Sequence, residues 1–570
     1  MGVKRAVFGA CATLILIASH ADALDQASPL AAVGAAAVRA PTETGDPWRA
    51  NFACTLSRGS DALLARIHLI RNAQHTIDIQ TFIWGGDESS RWIGYELTKA
   101  AERGVKVRLL LDFMGAVKEA DEYAFDRSKI QNVEIKIYRP IADRIDPSLP
   151  HFTLSLIWPN GTNQRMHNKT MVVDGEIGLT GGRNFANEYF DFTTGHNFRD
   201  QEILVAGPAV EWMTKSFDAF WNSKYSYHNY DLKDVQAYLE AGEHPAPSRR
   251  SDVIINDYFA LIDAAADDTA AVHERISGRM RKIDWMVFVA DSPGKKSTLY
   301  LDSQPGGSVA EVIRHEIAQC TEELLIQSPY IILTRRSRGV FKKQLKANKA
   351  LVVKLSSNSF GAADHYETYS ATFRLRSKLV RGLGFHLYEY NPYPADLDYW
   401  LPHYELLLER ADNLEVERKP YLSIHSKTFI FDKKRAFVGS FNLDPRSMNL
   451  NSECGLIIED ESLVAELRDL FYRDIAPENS WVIAEDNNPL ADVNRPFEVI
   501  SSILPIDVWP LHNMTSFALR EGAEPVDPDH PDFYDNYKDV GRFPGSEDMG
   551  LEKIQTSFYK TVGKMATPFL

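Results

Sequence analysis

Two stretches of this 570-residue sequence repeat one set of reactive side chains at one spacing. The first reads His167-Asn-Lys169, then Asp174, then Gly181-Gly182-Arg-Asn184; the second reads His425-Ser-Lys427, then Asp432, then Gly439-Ser440-Phe-Asn442. From each His the offsets agree: Lys two on, Asp seven on, the first Gly fourteen on and Asn seventeen on. A lone His-x-Lys carries no weight, but two copies of a five-position spacing do. The side chains suit one phosphoryl group. Lysine binds phosphate as a point charge and asparagine donates hydrogen bonds to its oxygens. Imidazole serves as nucleophile or acid near neutral pH. A phosphodiester monoanion repels anionic attack, so such a site must gather positive charge where negative charge develops.

The spacing also dictates how the side chains are carried. His and Lys at i and i+2 of a strand project from the same face, and the apolar runs 170–173 and 428–431 bury that strand. Asp174-Gly175 and Asp432-Lys-Lys-Arg then open turns, which points to a structural role for both aspartates. A second apolar strand returns to Gly-Gly or Gly-Ser, where a small residue lets backbone approach a ligand.

Stepping outward, the pattern strand, helix, strand occurs in both halves. Strands are expected at 76–84 and 105–111 around a helix at 90–103, and again at 323–328 and 351–356 around a helix at 337–347; helices at 61–72 and 309–318 precede them. This predicts an α/β protein whose sheets are largely parallel. The expected division is 1–23 signal peptide, 24–47 linker, 48–245 first domain, 246–282 helical connector, 283–485 second domain and 486–570 extension. The extension is acidic over 521–548 and is expected to be extended and partly disordered, with a short amphipathic helix at 552–565.

The N-terminus reads as an address. Lys4 and Arg5 precede an apolar run at 6–18, and Ala21-Asp22-Ala23 is a small-x-small cleavage signal. The run is shorter than the roughly 20 residues a bilayer span needs. Export with at most peripheral membrane attachment is the expectation. Most of the run follows Cys11, which argues against lipid attachment there. Cleavage leaves Cys54, Cys320 and Cys454, expected as buried thiols. A net charge of -15 argues against a nucleic-acid partner.

The doubled motif resembles the phospholipase D superfamily over roughly residues 48–480. That resemblance implies two phospholipase D-like domains, each a mixed and mostly parallel sheet flanked by helices, related by a pseudo-twofold axis and sharing one active site. It implies no cofactor and no metal. His167 becomes the nucleophile that forms a phosphohistidine, and His425 the acid/base. Lys169, Lys427, Asp174 and Asp432 belong to the motif's catalytic set, and Asn184, Ser440 and Asn442 to substrate binding. Asp200 and Glu453 look like the carboxylates that orient the histidines. Gly182 departs from the superfamily's usual Ser.

Runs such as 79–84, 104–112, 181–189, 288–291, 439–447 and 451–453 are similar to bacterial cardiolipin synthases, the last especially to their C-type branch. The implied activity moves a phosphatidyl group between phospholipids, with phosphatidylglycerol and phosphatidylethanolamine as expected substrates and a monomer as the expected state. A secreted phospholipase D releasing phosphatidic acid is the alternative, and a nucleic-acid phosphodiesterase a further one. His365 fits an acceptor pocket or an ordinary loop. The aromatic and leucine-rich stretches 398–402 and 404–408 fit membrane contact or core packing equally.

Overall fold

A computed structural model describes residues 24–25, 27–116, 131–147, 163–241, 257–295, 308–487 and 513–546. The expected signal peptide and the helix expected at 552–565 lie outside the described residues.

The first half supplies β1 (Phe52–Leu56), β2 (Thr76–Ile83), β3 (Lys106–Gly115), β4 (Val133–Tyr138), β5 (Thr170–Val173), β6 (Ile177–Gly181), β7 (His196–Arg199), β8 (Glu202–Ala206), β9 (Ser226–His228) and β10 (Arg281–Lys282). The second supplies β11 (Trp285–Ala290), β12 (Glu323–Gln327), β13 (Val352–Asn358), β14 (His386–Tyr390), β15 (Tyr421–Ile424), β16 (Thr428–Phe431), β17 (Arg435–Gly439), β18 (Cys454–Glu459), β19 (Ser480–Glu485), β20 (Met514–Leu519) and β21 (Tyr537–Asp539). One sheet runs β10-β1-β8-β6-β5-β2-β3-β4-β9, the other β11-β18-β17-β16-β12-β13-β14-β19-β20-β21. Strand for strand, β1-β8-β6-β5-β2-β3-β4-β9 repeats as β11-β18-β17-β16-β12-β13-β14-β19, so the motif repeat is a repeat of topology.

The α/β class and the two related sheets agree with the sequence, but the balance within each sheet does not. Within these two sheets parallel pairing is confined to β2-β3-β4 and β12-β13-β14; their other pairings are antiparallel. The reason is local. A parallel neighbour needs a crossover, and helices Glu88–Glu102 and Arg335–Ala347 provide it between β2 and β3 and between β12 and β13. Asp87 caps the first of these helices at Ser90 N and Thr334 the second at Ser337 N. The motif strands instead turn back at once: β5 pairs with β6, and β16 with β17, as hairpins.

One apolar cluster lies between the two sheets. It joins Val172, Ile203 and Val205 of the first to Leu325, Ile430, Val438 and Leu456 of the second. Helices Pro208–Trp221 and Glu461–Asp474 add Val210, Met213, Leu463 and Leu467 to this seam, while other helices pack on the outer faces. At about 25 cal/mol per Å² of apolar surface removed from water, this buried seam holds the halves as one body.

Three expectations change. Residues 24–47 are not a linker: Pro29–Thr44 is a helix, Leu30 and Ala37 are buried in the first core, and Leu24 bridges Ala73. An Ala-rich run satisfies helix propensity, and here an apolar surface was available to pack it. The extension is folded over 513–546, where β20 pairs with β19 and β21 with β20, and Phe517, Phe533 and Tyr537 are buried. The 398–408 stretch is core packing: Trp400, Leu401 and Leu407 are buried in the first half's core. Cys54, Cys320 and Cys454 are free and buried, and burial pushes their thiols up to about 12, about 12 and about 11. Among the described residues no helix is long and apolar enough to cross a membrane.

Candidate active site

Each reactive histidine enters from the residue after a strand-like segment, and each segment runs alongside the opposite half. β15 pairs in parallel with β7, placing Ile424 opposite Arg199. The next residues, His425 and Asp200, therefore emerge side by side. Likewise Met166 bridges Ser452 in parallel, and His167 and Glu453 emerge together. The backbone completes the pattern: His167 N donates to Ser452 O and His425 N to Arg199 O, both at 2.9 Å.

The side chains follow. His167 Nδ1 lies 2.8 Å from Glu453 Oε2, and His425 Nδ1 lies 2.6 Å from Asp200 Oδ2. A carboxylate accepts, so each Nδ1 carries the proton and each Nε2 keeps its lone pair. Four expected residues thus meet as two pairs, each pair crossing between the halves. Both carboxylates are fully buried. Burial raises Glu453, yet His167, Lys169 and the Ser440 hydroxyl together hold it below its ordinary value. Asp200 is likewise held well below the carboxylate range, against burial, by His425 and Lys427. Burial lowers His167, and burial with the Lys427 charge lowers His425 to about 4. Both imidazoles are neutral at pH 7.

Lys169 and Lys427 are buried beside them. Lys169 Nζ donates to His167 O at 2.7 Å, and Lys427 Nζ to His425 O. Burial pulls them down to about 7 and about 8 respectively. An arriving phosphate anion reverses that, because opposite charge favours the ammonium form.

Other expected residues have different surroundings. Asp174 and Asp432 leave the cluster: they stand at the far ends of β5 and β16. Asp174 accepts from the backbone N–H of Gln74, His75 and Thr76, and Asp432 from those of Thr321, Glu322 and Glu323. They clamp the starts of β2 and β12, and the distance along the strand removes them from the chemistry. Ser440 Oγ donates to Glu453 Oε2 at 2.5 Å and accepts from Cys454 N, so its hydroxyl already has partners. Asn184 is tied at both ends, accepting from Ile83 N and donating to Tyr189 Oη. Asn442 differs from its counterpart: its buried Oδ1 has no hydrogen-bond partner. His365 stands exposed at the start of helix Tyr366–Leu383.

Several supporting residues escaped the motif. Asp112 Oδ2 accepts from Met166 N, and Asn358 Oδ1 from Ile424 N, each one residue before a reactive histidine. Both stand at or near the carboxyl ends of parallel strands, where α/β sheets carry their sites; that rule, applied to β3 and β13, would have found them. Ser447 Oγ donates to Glu453 Oε1 at 2.7 Å, and Asp291 Oδ2 accepts from Glu453 N. Phe82 meets the edge of His167, and Tyr189 and Phe198 flank His425.

Two sheets of one topology, meeting at two carboxylate-held histidines with buried lysines, define an enzyme of the phospholipase D type. The family model described as cardiolipin synthase, PLD-like domain matches residues 66–221 and 313–475, and the chain belongs to that family. It is 29% identical over 444 residues to cardiolipin synthase C of Escherichia coli (strain K12), covering 76% of this chain and 86% of that one. It is 26% identical over 424 residues to cardiolipin synthase 2 of Staphylococcus epidermidis (strain ATCC 35984), covering 74% and 67%. A solved structure, phosphatidylserine synthase of Haemophilus influenzae Rd KW20, aligns at 16% identity with a TM-score of 0.49, covering 78% of this chain and 91% of that chain.

Proposed function

We propose that this enzyme transfers a phosphatidyl group from one phospholipid to the primary hydroxyl of another, in the manner of a cardiolipin synthase, with phosphatidylglycerol as acceptor. The observation that carries the reading is the pair of neutral imidazoles, each with Nδ1 held by a buried carboxylate and Nε2 free to act. Lys169 and Lys427 would neutralise the donor phosphate. His167 Nε2 would attack phosphorus while His425 protonates the departing head-group oxygen; the acceptor hydroxyl, losing its proton to His425, would then displace His167. The proton for His425 is acquired as the phosphate anion binds, because the ligand-free imidazole sits at about 4.

The assignment of His167 as nucleophile rests on the family resemblance. The two histidines have matching surroundings, each with Nδ1 on a buried carboxylate of the opposite half, so the exchange of roles is the competing reading. Trapping the intermediate from labelled phosphatidylglycerol by acid quench and locating the phosphohistidine by mass spectrometry decides between them. The amino-terminal signal supports work outside the cytoplasm at a membrane surface. Purified enzyme with phosphatidylglycerol vesicles should yield cardiolipin and glycerol; phosphatidic acid as sole product would replace transfer by hydrolysis.

A further inference from the structure

The segment 359–365 leaves the carboxyl end of β13 and carries one carboxylate, Asp364, to the His425 side of the site. Its anchoring is dense. Asn358, just before it, brackets Ile424 by accepting from its N and donating to its O at 2.6 and 2.9 Å. Ser423 Oγ donates to Ala362 O at 2.5 Å, and Arg418 to Gly361 O at 2.8 Å. From the far side the carboxy-terminal extension closes on it. Phe543 packs on Phe360 and Phe373 with ring centroids 5.4 and 5.2 Å apart, and a methyl group built on Gly361 would overlap the Gly545 carbonyl.

Asp364 is half-buried at the end of this braced loop. Its Oδ2 accepts from Tyr330 Oη at 2.8 Å and its Oδ1 from His365 N at 2.9 Å. A carboxylate offers roughly four acceptor directions, so two remain. Its charge acts on both His425 and Lys427, and on Tyr189, whose ring meets His425 edge-on. The crossed pairs already account for the histidines, so this third carboxylate has no place in holding either one.

We infer that Asp364 is the specificity-determining residue of the acceptor side, taking a hydrogen bond from a second hydroxyl of a polyol head group while His425 receives the proton of the reacting one. The inference rests on the transfer reading above. In that step the acceptor oxygen forms its bond to phosphorus, the bond from phosphorus to His167 Nε2 breaks, and the acceptor proton goes to His425 Nε2. Asp364 changes no bond; it selects an alcohol with a neighbouring donor over water or a simple alcohol. The extension, through Phe543 and Gly545, is the brace that keeps it there.

The test offers full-length enzyme on phosphatidylglycerol vesicles two competing acceptors of equal chain length, labelled glycerol and propan-1-ol. Wild type should incorporate glycerol over propan-1-ol by about tenfold, the discrimination one hydrogen bond to a charged acceptor gives. In Asp364→Asn, which keeps volume and removes charge, the ratio should fall toward parity; Asp364→Glu should retain part of it, and Phe543→Ala should lower it from outside the site. A wild type without preference, or an Asp364→Asn enzyme that keeps the full ratio, overturns the inference. Wild type that forms neither product from these acceptors, nor cardiolipin, overturns the transfer reading itself.

Discussion

Glu453 Oε2 stands 2.8 Å from His167 Nδ1 although the residues are 286 positions apart and belong to different sheets. The mirror contact joins Asp200 of the first half to His425 of the second. Each half therefore carries a histidine it cannot orient and a carboxylate that orients its neighbour's. The crossing follows from the two short parallel contacts, Ile424 with Arg199 and Met166 with Ser452, which deliver both partners from adjoining backbone.

Removing either carboxylate's charge should therefore disable the histidine of the other half. Glu453→Gln and Asp200→Asn leave volume unchanged but let Nδ1 act as acceptor, so the tautomer that frees Nε2 is no longer fixed. A loss of about 10²- to 10⁴-fold in kcat is expected from each, within the range for general acid–base and orienting groups. His167→Ala and His425→Ala should each abolish transfer. Steady-state assay of phosphatidylglycerol turnover checks all four; full activity in a histidine variant would end the two-histidine scheme.

The buried lysines set the pH dependence. Phosphate binding needs their charged forms, and burial lowers Lys169 to about 7 and Lys427 to about 8 in the ligand-free site. As pH rises through that window, free enzyme loses the ammonium charges, so kcat/KM should fall between about pH 7 and 8 rather than near the ordinary lysine value. In the complex the phosphate restores the charge, and the basic limb of kcat should lie higher. Coincident limbs for the two parameters would show that the lysines do not titrate in the free enzyme.

Much of this site was legible because its chemistry is encoded as short-range spacing. His167 and Lys169, like His425 and Lys427, lie two residues apart in short stretches that lead directly into β5 and β16, so their spacing alone keeps each pair together. The pairing of Asp200 and Glu453 with the histidines of the opposite halves was not legible, because only tertiary docking sets it. Asp112 and Asn358 were missed for the same reason: their work is on backbone amides of distant strands. The order strand, helix, strand speaks only for the strands its helices connect, so it suggests more parallel pairing than the two sheets carry. The helix at Pro29–Thr44 and the strands of the extension were missed because low-complexity and acidic composition suggests disorder, while packing against an existing surface overrides it.

Asp174 and Asp432 offer a contrast between motif membership and function. Each holds three backbone N–H groups, and each sits at positive φ, 53° and 50°. Alanine loses those bonds and is strained at that backbone angle, so Asp174→Ala and Asp432→Ala should each cost about 1–3 kcal/mol of stability. Asn, which tolerates the left-handed region, should cost less. Thermal melts should show the loss, while kcat of the folded fraction at low temperature stays within a few-fold of wild type. A collapse of kcat with an unchanged melt would return the aspartates to the chemistry.

Gly182 and Ser440 mark the difference between otherwise matching halves. The carboxylates that face them occupy equivalent places, since Gly181 pairs with Glu202 and Gly439 with Gly455, each two residues past its acid. A methyl group built on Gly182 overlaps both carboxylate oxygens of Asp200, whereas the longer Glu453 reaches His167 and still accepts from Ser440 Oγ. The shorter acid thus goes with the smaller neighbour. Gly182→Ser should push Asp200 off His425 and lower kcat by about tenfold or more, the scale of a lost charge-assisted hydrogen bond. Gly182→Ala should do the same, because volume and not the hydroxyl is at fault. Combining Gly182→Ser with Asp200→Glu rebuilds the arrangement of the other half, so the double variant should exceed Gly182→Ser alone. A double-mutant cycle on kcat reads this directly: positive coupling supports the matched pair, and simple additivity would show that the two positions act independently.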